Sequence, residues 1–139
     1  MKPPIIADSS GLVSLISEDD SNHKIAIAVS EELIAISSTI LISSDVFSET
    51  LNVIGKKFSH NLATKVGKEI VQSNAYAIIE TDAGIRENAL KLFYSQPQSV
   101  SFTDCVVMAL ADQYSTKDIL GFDEVFRKNG YNRLGLDKH

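Results

Sequence analysis

Short apolar runs that alternate with stretches of helical periodicity leave this chain few folds to choose from. Five runs of strand length stand out: Pro4 to Ala7, Thr39 to Ser43, Ala75 to Glu80, Asp118 to Phe122 and, weakest, Arg133 to Leu136. Each of the first three is followed by apolar residues recurring at helical spacing. Consecutive β-α units joined by right-handed crossovers are therefore expected, and with them a mostly parallel sheet of four to five strands in an α/β fold.

The helical stripes can be read residue by residue. Phe47, Leu51, Ile54 and Phe58 recur at steps of four, three and four. Ile85, Ala89 and Leu92 repeat the pattern in a helix that Thr81 or Asp82 can cap. Val106, Val107, Leu110, Ala111 and Tyr114 form a third stripe directly after Ser101 to Asp104, and Ile25, Ala28, Val29, Leu33 and Ile36 a fourth. No repeat, low-complexity tract or linker interrupts the order, so one domain over residues 1–139 is expected. A domain of that size buries roughly two thirds of the surface its unfolded chain exposes, enough for a core without staples.

Composition excludes several classes. A single cysteine, Cys105, cannot close an internal disulfide, and His23, His60 and His139 have no Cys or His companion at zinc-ligand spacing. The apolar stretch before Asp8 is too short for a signal-peptide core or a membrane span, so a soluble protein of the reducing cytoplasm, with no membrane partner, is expected. The net charge of −5 argues against a protein that coats nucleic acid by bulk charge. Any grip on phosphate must be local, and Lys56, Lys57, His60, Lys65 and Lys68 form the candidate cluster, with a solvated helix face as the alternative.

Four acids carry the chemistry. Asp8 ends the first apolar run, Asp104 opens a helix, Asp123 follows the fourth run, and Glu49 stands on a helix shoulder with Val46, Asn52, Val53 and Lys56. Each has a plain structural role available: Asp8 as an N-cap, Asp104 as a first-turn acid capped by Ser101 or Thr103, Asp123 as a turn residue, Glu49 as a solvated glutamate. Their common place tells against those separate explanations. All four fall at one mouth of a parallel sheet, outside the carboxyl ends of its strands, where such folds bind ligands. Like charges gathered there repel unless a cation neutralises them, and oxygen donors without nitrogen or sulfur select Mg²⁺ or Mn²⁺.

The segments IIADSSGLVSLI, SETLNVI, SFTDCVVMALA and ILGFDEVFRKNGY, in this order along nearly the whole chain, resemble the PIN-domain ribonucleases, and most closely the VapC-like toxins of toxin–antitoxin pairs. The resemblance implies a three-layer α/β/α sandwich and a Mg²⁺ or Mn²⁺ site built from Asp8, Glu49, Asp104 and Asp123. Ser10 and Thr103 match hydroxyl positions that stand beside the metal. It further implies endoribonuclease activity on structured RNA such as tRNA, homodimers, and inhibition by a small cognate antitoxin protein. The chain departs from the family pattern at Gly121, commonly Thr, and at Val125, commonly His.

The mechanism so implied is metal-assisted phosphodiester hydrolysis, with Asp8, Asp104 and Asp123 holding the cation and Glu49 orienting water or completing the shell. Rival chemistries lack their carriers. No P-loop, dinucleotide-binding or nucleophile-elbow motif occurs, and Ser10 stands where a haloacid-dehalogenase pattern needs a second Asp. The remaining alternative is a PIN-like module that binds RNA or protein without cutting.

Overall fold

In the computed structural model, which describes residues 3–137, the first four apolar runs become strands of one five-stranded sheet, and the fifth strand shares only Arg133 with the last run; His139 lies outside the described residues. The elements are β1 (Ile5–Ala7), α1 (Ser9–Ile16), α2 (His23–Ala35), β2 (Ile40–Ser43), α3 (Ser44–Lys57), α4 (His60–Gln72), β3 (Tyr76–Ile79), α5 (Ala83–Tyr94), α6 (Phe102–Gln113), β4 (Asp118–Leu120), α7 (Glu124–Lys128) and β5 (Asn132–Arg133). Every strand pair is parallel and the order is β3-β2-β1-β4-β5. From β1 the chain steps outward to β2 and β3, then returns across the sheet to β4 and β5. Right-handed crossovers therefore place α1 to α4 on one face and α5 to α7 on the other, a three-layer sandwich. The reversal of direction lies between β1 and β4, the crevice where open parallel sheets take ligands.

Burial follows this layering. Ile6, Ile42, Ile119 and Leu120 of the central strands are fully buried, and α6 is buried all round from Cys105 to Ala111 because β1, β2, α5 and α7 surround it. That is wider than the expected stripe, whereas Tyr114, which ends it, is exposed. Helix α2 buries Ala26, Val29 and Leu33 but leaves Ala28 and Ile36 outside.

Helix α3 differs in a way that matters for the site. Its inner face is Val46, Thr50 and Ile54; Phe47 and Leu51 turn toward α4, and Phe58 is exposed. Of the stripe read from sequence, Phe47 and Leu51 form the seam between two helices and Ile54 faces the core. Two helices went unread in the sequence. Ser59 caps α4, whose inward residues Ala63, Val66, Gly67 and Ile70 are small or interrupted by charge, and Asp123, expected in a turn, opens the short α7. The last strand comes earlier than its apolar run, at Asn132–Arg133.

Two glycines let the layers close on the crevice. A β-carbon at Gly11 would lie 2.2 Å from the Leu120 carbonyl oxygen, and one at Gly121 would lie 2.8 Å from the Asp8 β-carbon. Both distances are below contact, so α1 and the end of β4 approach as closely as they do because these side chains are absent.

Candidate metal centre

Asp8 leaves β1 with its backbone N–H donating to the Leu120 carbonyl at 2.9 Å, which fixes it beside the end of β4. Its Oδ2 accepts from the Ser10 hydroxyl at 2.8 Å and, more weakly, from the Ser10 N–H at 3.3 Å. The same hydroxyl accepts the Phe122 N–H at 3.0 Å, although the two residues are 112 positions apart. Ser10 thus ties the first acid to the loop that carries the last. The other Asp8 oxygen, Oδ1, is buried and has no hydrogen-bond partner.

Capping does not account for this arrangement. An N-cap stabilises a helix by about 1 kcal/mol, and Ser or Asn supplies it without a charge. A buried carboxylate oxygen left unpaired costs more than the cap returns.

Asp104 sits in the first turn of α6 in a reciprocal capping box: Ser101 Oγ accepts its N–H at 3.1 Å, and its own Oδ2 accepts the Ser101 N–H at 3.3 Å. Asp123 is the N-cap residue of α7, yet its side chain makes no cap bond. Arg133 steadies that loop by donating through Nη1 to the Phe122 carbonyl at 3.0 Å, while its Nε and Nη2 grip Asp137 at 3.1 and 2.9 Å.

These three elements bring one carboxylate oxygen each from Asp8, Asp104 and Asp123 to within 4.8 Å of one another. A cation with oxygen ligands at about 2.1 Å holds opposite ligands about 4.2 Å apart, and larger hard cations a little more, so the set matches the span of a hard divalent ion. No histidine or cysteine joins this group among the described residues. Electrostatics agrees with the orphaned oxygen. Burial raises the Asp8 carboxyl to about 7, with the neighbouring Asp123 and Asp104 charges adding to the shift against the Ser10 bonds. Asp104 and Asp123 are raised as well, each first by burial, then by neighbouring acids that include Glu49; Arg133 partly offsets the rise at Asp123. The cluster fits a divalent cation, which would relieve the burial and the repulsion together.

Glu49 stands outside this triad. Its carboxylate accepts the Ser9 hydroxyl from the first turn of α1, and it is half-buried on the wall of a 730 Å³ cleft that Thr103, Lys56 and Arg86 also line. Thr103 is half-buried beside Asp104. Of the expected phosphate-binding cluster, Lys56 alone lines this cleft. Lys68 borders a separate apolar groove between α3 and α4, Lys57 lies over the Phe58 ring, and Lys65 and His60 are exposed on α4, His60 in a further small pocket. Arg86, Lys128 and Arg133 went unread, because nothing in the local sequence marks an Arg or Lys that only tertiary packing brings to the acids. Lys128 lines a second cleft, of 520 Å³, together with Asp104, Asp123 and the buried Val125.

The comparisons with known proteins bear on the same elements. Among solved structures, Mycobacterium tuberculosis VapC20, a Sarcin-Ricin loop cleaving toxin, is similar with a TM-score of 0.79 at 21% identity, over 92% of this chain and 96% of that one. At that identity the likeness is one of fold. No curated protein sequence matches the chain. The model of the PIN domain matches residues 5–130, which run from β1 through α7 and take in every strand end and helix start that brings Asp8, Asp104 and Asp123 together. The chain belongs to the PIN-domain family.

Proposed function

We propose that this protein is a Mg²⁺- or Mn²⁺-dependent endoribonuclease, the cytoplasmic toxin of a toxin–antitoxin pair, with its activity contained in a single domain. One observation supports this above the rest: three carboxylates from separate elements converge at the topological switch point, one of them buried with an unpartnered oxygen. Asp8, Asp104 and Asp123 hold the cation, and Ser10 and Ser101 fix the carboxylates of the first two. Such an ion, when bound, supplies an electrophile for the phosphate oxygens and an acidified water. Glu49, oriented by Ser9, accepts the proton of the attacking water from the wall of the adjoining cleft. Lys56 draws the RNA backbone into that cleft and Arg86 joins it, with Lys57, Lys65 and Lys68 adding longer-range attraction from exposed helix faces.

Structured RNA such as tRNA is the substrate in this reading, and a homodimer its working form. A small cognate antitoxin silences it by laying a basic side chain among Asp8, Asp104 and Asp123 in place of the cation. The test is direct. Purified protein should cut RNA into discrete fragments with Mg²⁺ or Mn²⁺, and neither the Asp104→Asn protein nor the wild type in excess chelator should do so. Full activity in chelator sinks the metal reading. A protein that is stabilised by the cation but cuts no RNA with any divalent ion is instead a binding module.

A further inference from the structure

The second cleft opens directly onto Asp104 and Asp123, and its far wall is made by the loop after α5 and by α7. That wall carries two amides clasped face to face. Gln96 Nε2 donates to Asn129 Oδ1 at 2.9 Å, and Asn129 Nδ2 donates back to Gln96 Oε1 at 3.0 Å. The two partners are held unequally. Asn129 also donates to the Val125 carbonyl at 2.8 Å and ends α7, whereas the other side-chain hydrogen bond of Gln96 is a 3.4 Å one to the Ser95 hydroxyl beside it. Gln96 is the member free to exchange partners.

In the pair, each amide meets an edge that offers one donor beside one acceptor. Adenine presents that same combination, and Gln reads it with two hydrogen bonds. Exchanging Asn129 for a base conserves the number of bonds Gln96 makes, and Asn129, only half-buried, keeps its bond to the Val125 carbonyl while its released amide atoms turn to water. The cleft also holds Lys128, a cation suited to the phosphate of a nucleotide lying there. Because Asp104 and Asp123 belong both to this cleft and to the acid centre, a nucleotide in it adjoins the phosphodiester at the acids.

We infer that the cleft between the 95–101 loop and α7 is a nucleobase subsite, in which Gln96 reads an adenine next to the scissile phosphate and Lys128 meets its backbone. The inference rests on the nuclease reading and deepens it from RNA cleavage to cleavage beside a chosen base.

The test uses one pool of randomised oligoribonucleotides in two arms. One arm is cleavage with Mg²⁺, read by sequencing fragment ends; the other is binding selection in chelator, read by sequencing the retained strands. With wild type, adenine should be enriched about tenfold at one position, beside the cut in the first arm. Gln96→Ala should lose the enrichment. Gln96→Glu, which keeps the side chain's shape but only accepts, should replace adenine by cytosine, whose exocyclic amine donates. Lys128→Ala should weaken binding of every sequence while the base preference stays. Identical base preferences in wild type and Gln96→Ala, or none in wild type, overturn the subsite. Gln96-dependent adenine selection in the binding arm without any cleavage leaves the subsite standing and removes the nuclease reading. Cleavage with Gln96-independent ends does the reverse, and neither cleavage nor base-dependent binding removes both.

Discussion

Burial of Asp8 sets the sign of the metal-free protein's response to pH. Its carboxyl titrates near 7 in the fold against an ordinary 3.8, so the native state holds this proton more tightly than the unfolded chain. The stability Asp8 contributes is then fullest below about pH 4 and is lost as pH climbs toward 7, by an upper bound of about 4 kcal/mol. Asp104 and Asp123 are shifted the same way. Asp137, lowered by its bonds to Arg133, acts oppositely and loses its contribution as the solution turns acid. Asp8→Asn should therefore leave metal-free stability nearly unchanged at pH 4 and raise it by a few kcal/mol at pH 8. Urea titrations at the two pH values check this, and a saturating divalent cation should close the gap for the wild type alone. A second residue-scale expectation concerns Arg133, which is buried and holds both the Phe122 carbonyl and Asp137. Arg133→Met strands a partner carboxylate and frees the loop before Asp123, so it should cost on the order of 3 kcal/mol in unfolding. It should also weaken cation binding measured by calorimetry. Arg133 could not have been singled out from the sequence, whereas Asp8, Asp104 and Asp123 could, because acids at strand ends and helix starts declare their place locally while a buried cation is defined by what packs on it.

The element scale shows a similar division. The strands were legible because runs such as Ile40 to Ile42 are continuous and apolar, which is how a strand buried on both faces reads. Helix α3 was legible as a helix but not in its facing: Phe47 and Leu51 dominate the pattern, yet they serve the contact with α4, where Leu51 reaches Gly67, while the smaller Val46 and Thr50 face the core. That rotation is what brings Glu49 to the mouth of the sheet. The closeness of α1 to the end of β4 was equally hidden, since no sequence pattern shows that Gly11 touches the Leu120 carbonyl. Gly11→Ala should consequently destabilise strongly, by about 3 kcal/mol or more, because backbone rather than a flexible side chain must move. Gly121→Thr, which supplies the residue common in the family, should act on the site first. Its β-carbon lies against that of Asp8, so cation affinity should fall by more than the loss in melting temperature implies. Calorimetry beside thermal denaturation separates the two effects.

For the molecule as a whole, a net charge of −5 means that the RNA binding proposed above must rest on where the cations lie. Each contact with a single-stranded phosphate changes the slope of log affinity against log salt by about 0.7. Lys56→Ala should lower that slope by about this amount, and Lys68→Ala, on the apolar groove between α3 and α4, by much less; anisotropy titrations over a salt series decide it. The strand order carries a different consequence, one of timing during synthesis. Asp8 is synthesised long before the strand that stands beside it, which begins only at Asp118, and before the last acid, Asp123. Until that late segment has left the ribosome, β1 has an open edge and the carboxylates have nowhere to meet. Ribosome-bound chains halted before Asp118 should accordingly bind no divalent cation. In the nuclease reading proposed above, a nascent chain that stops short of that segment therefore cuts no RNA, because its acids cannot yet share one cation.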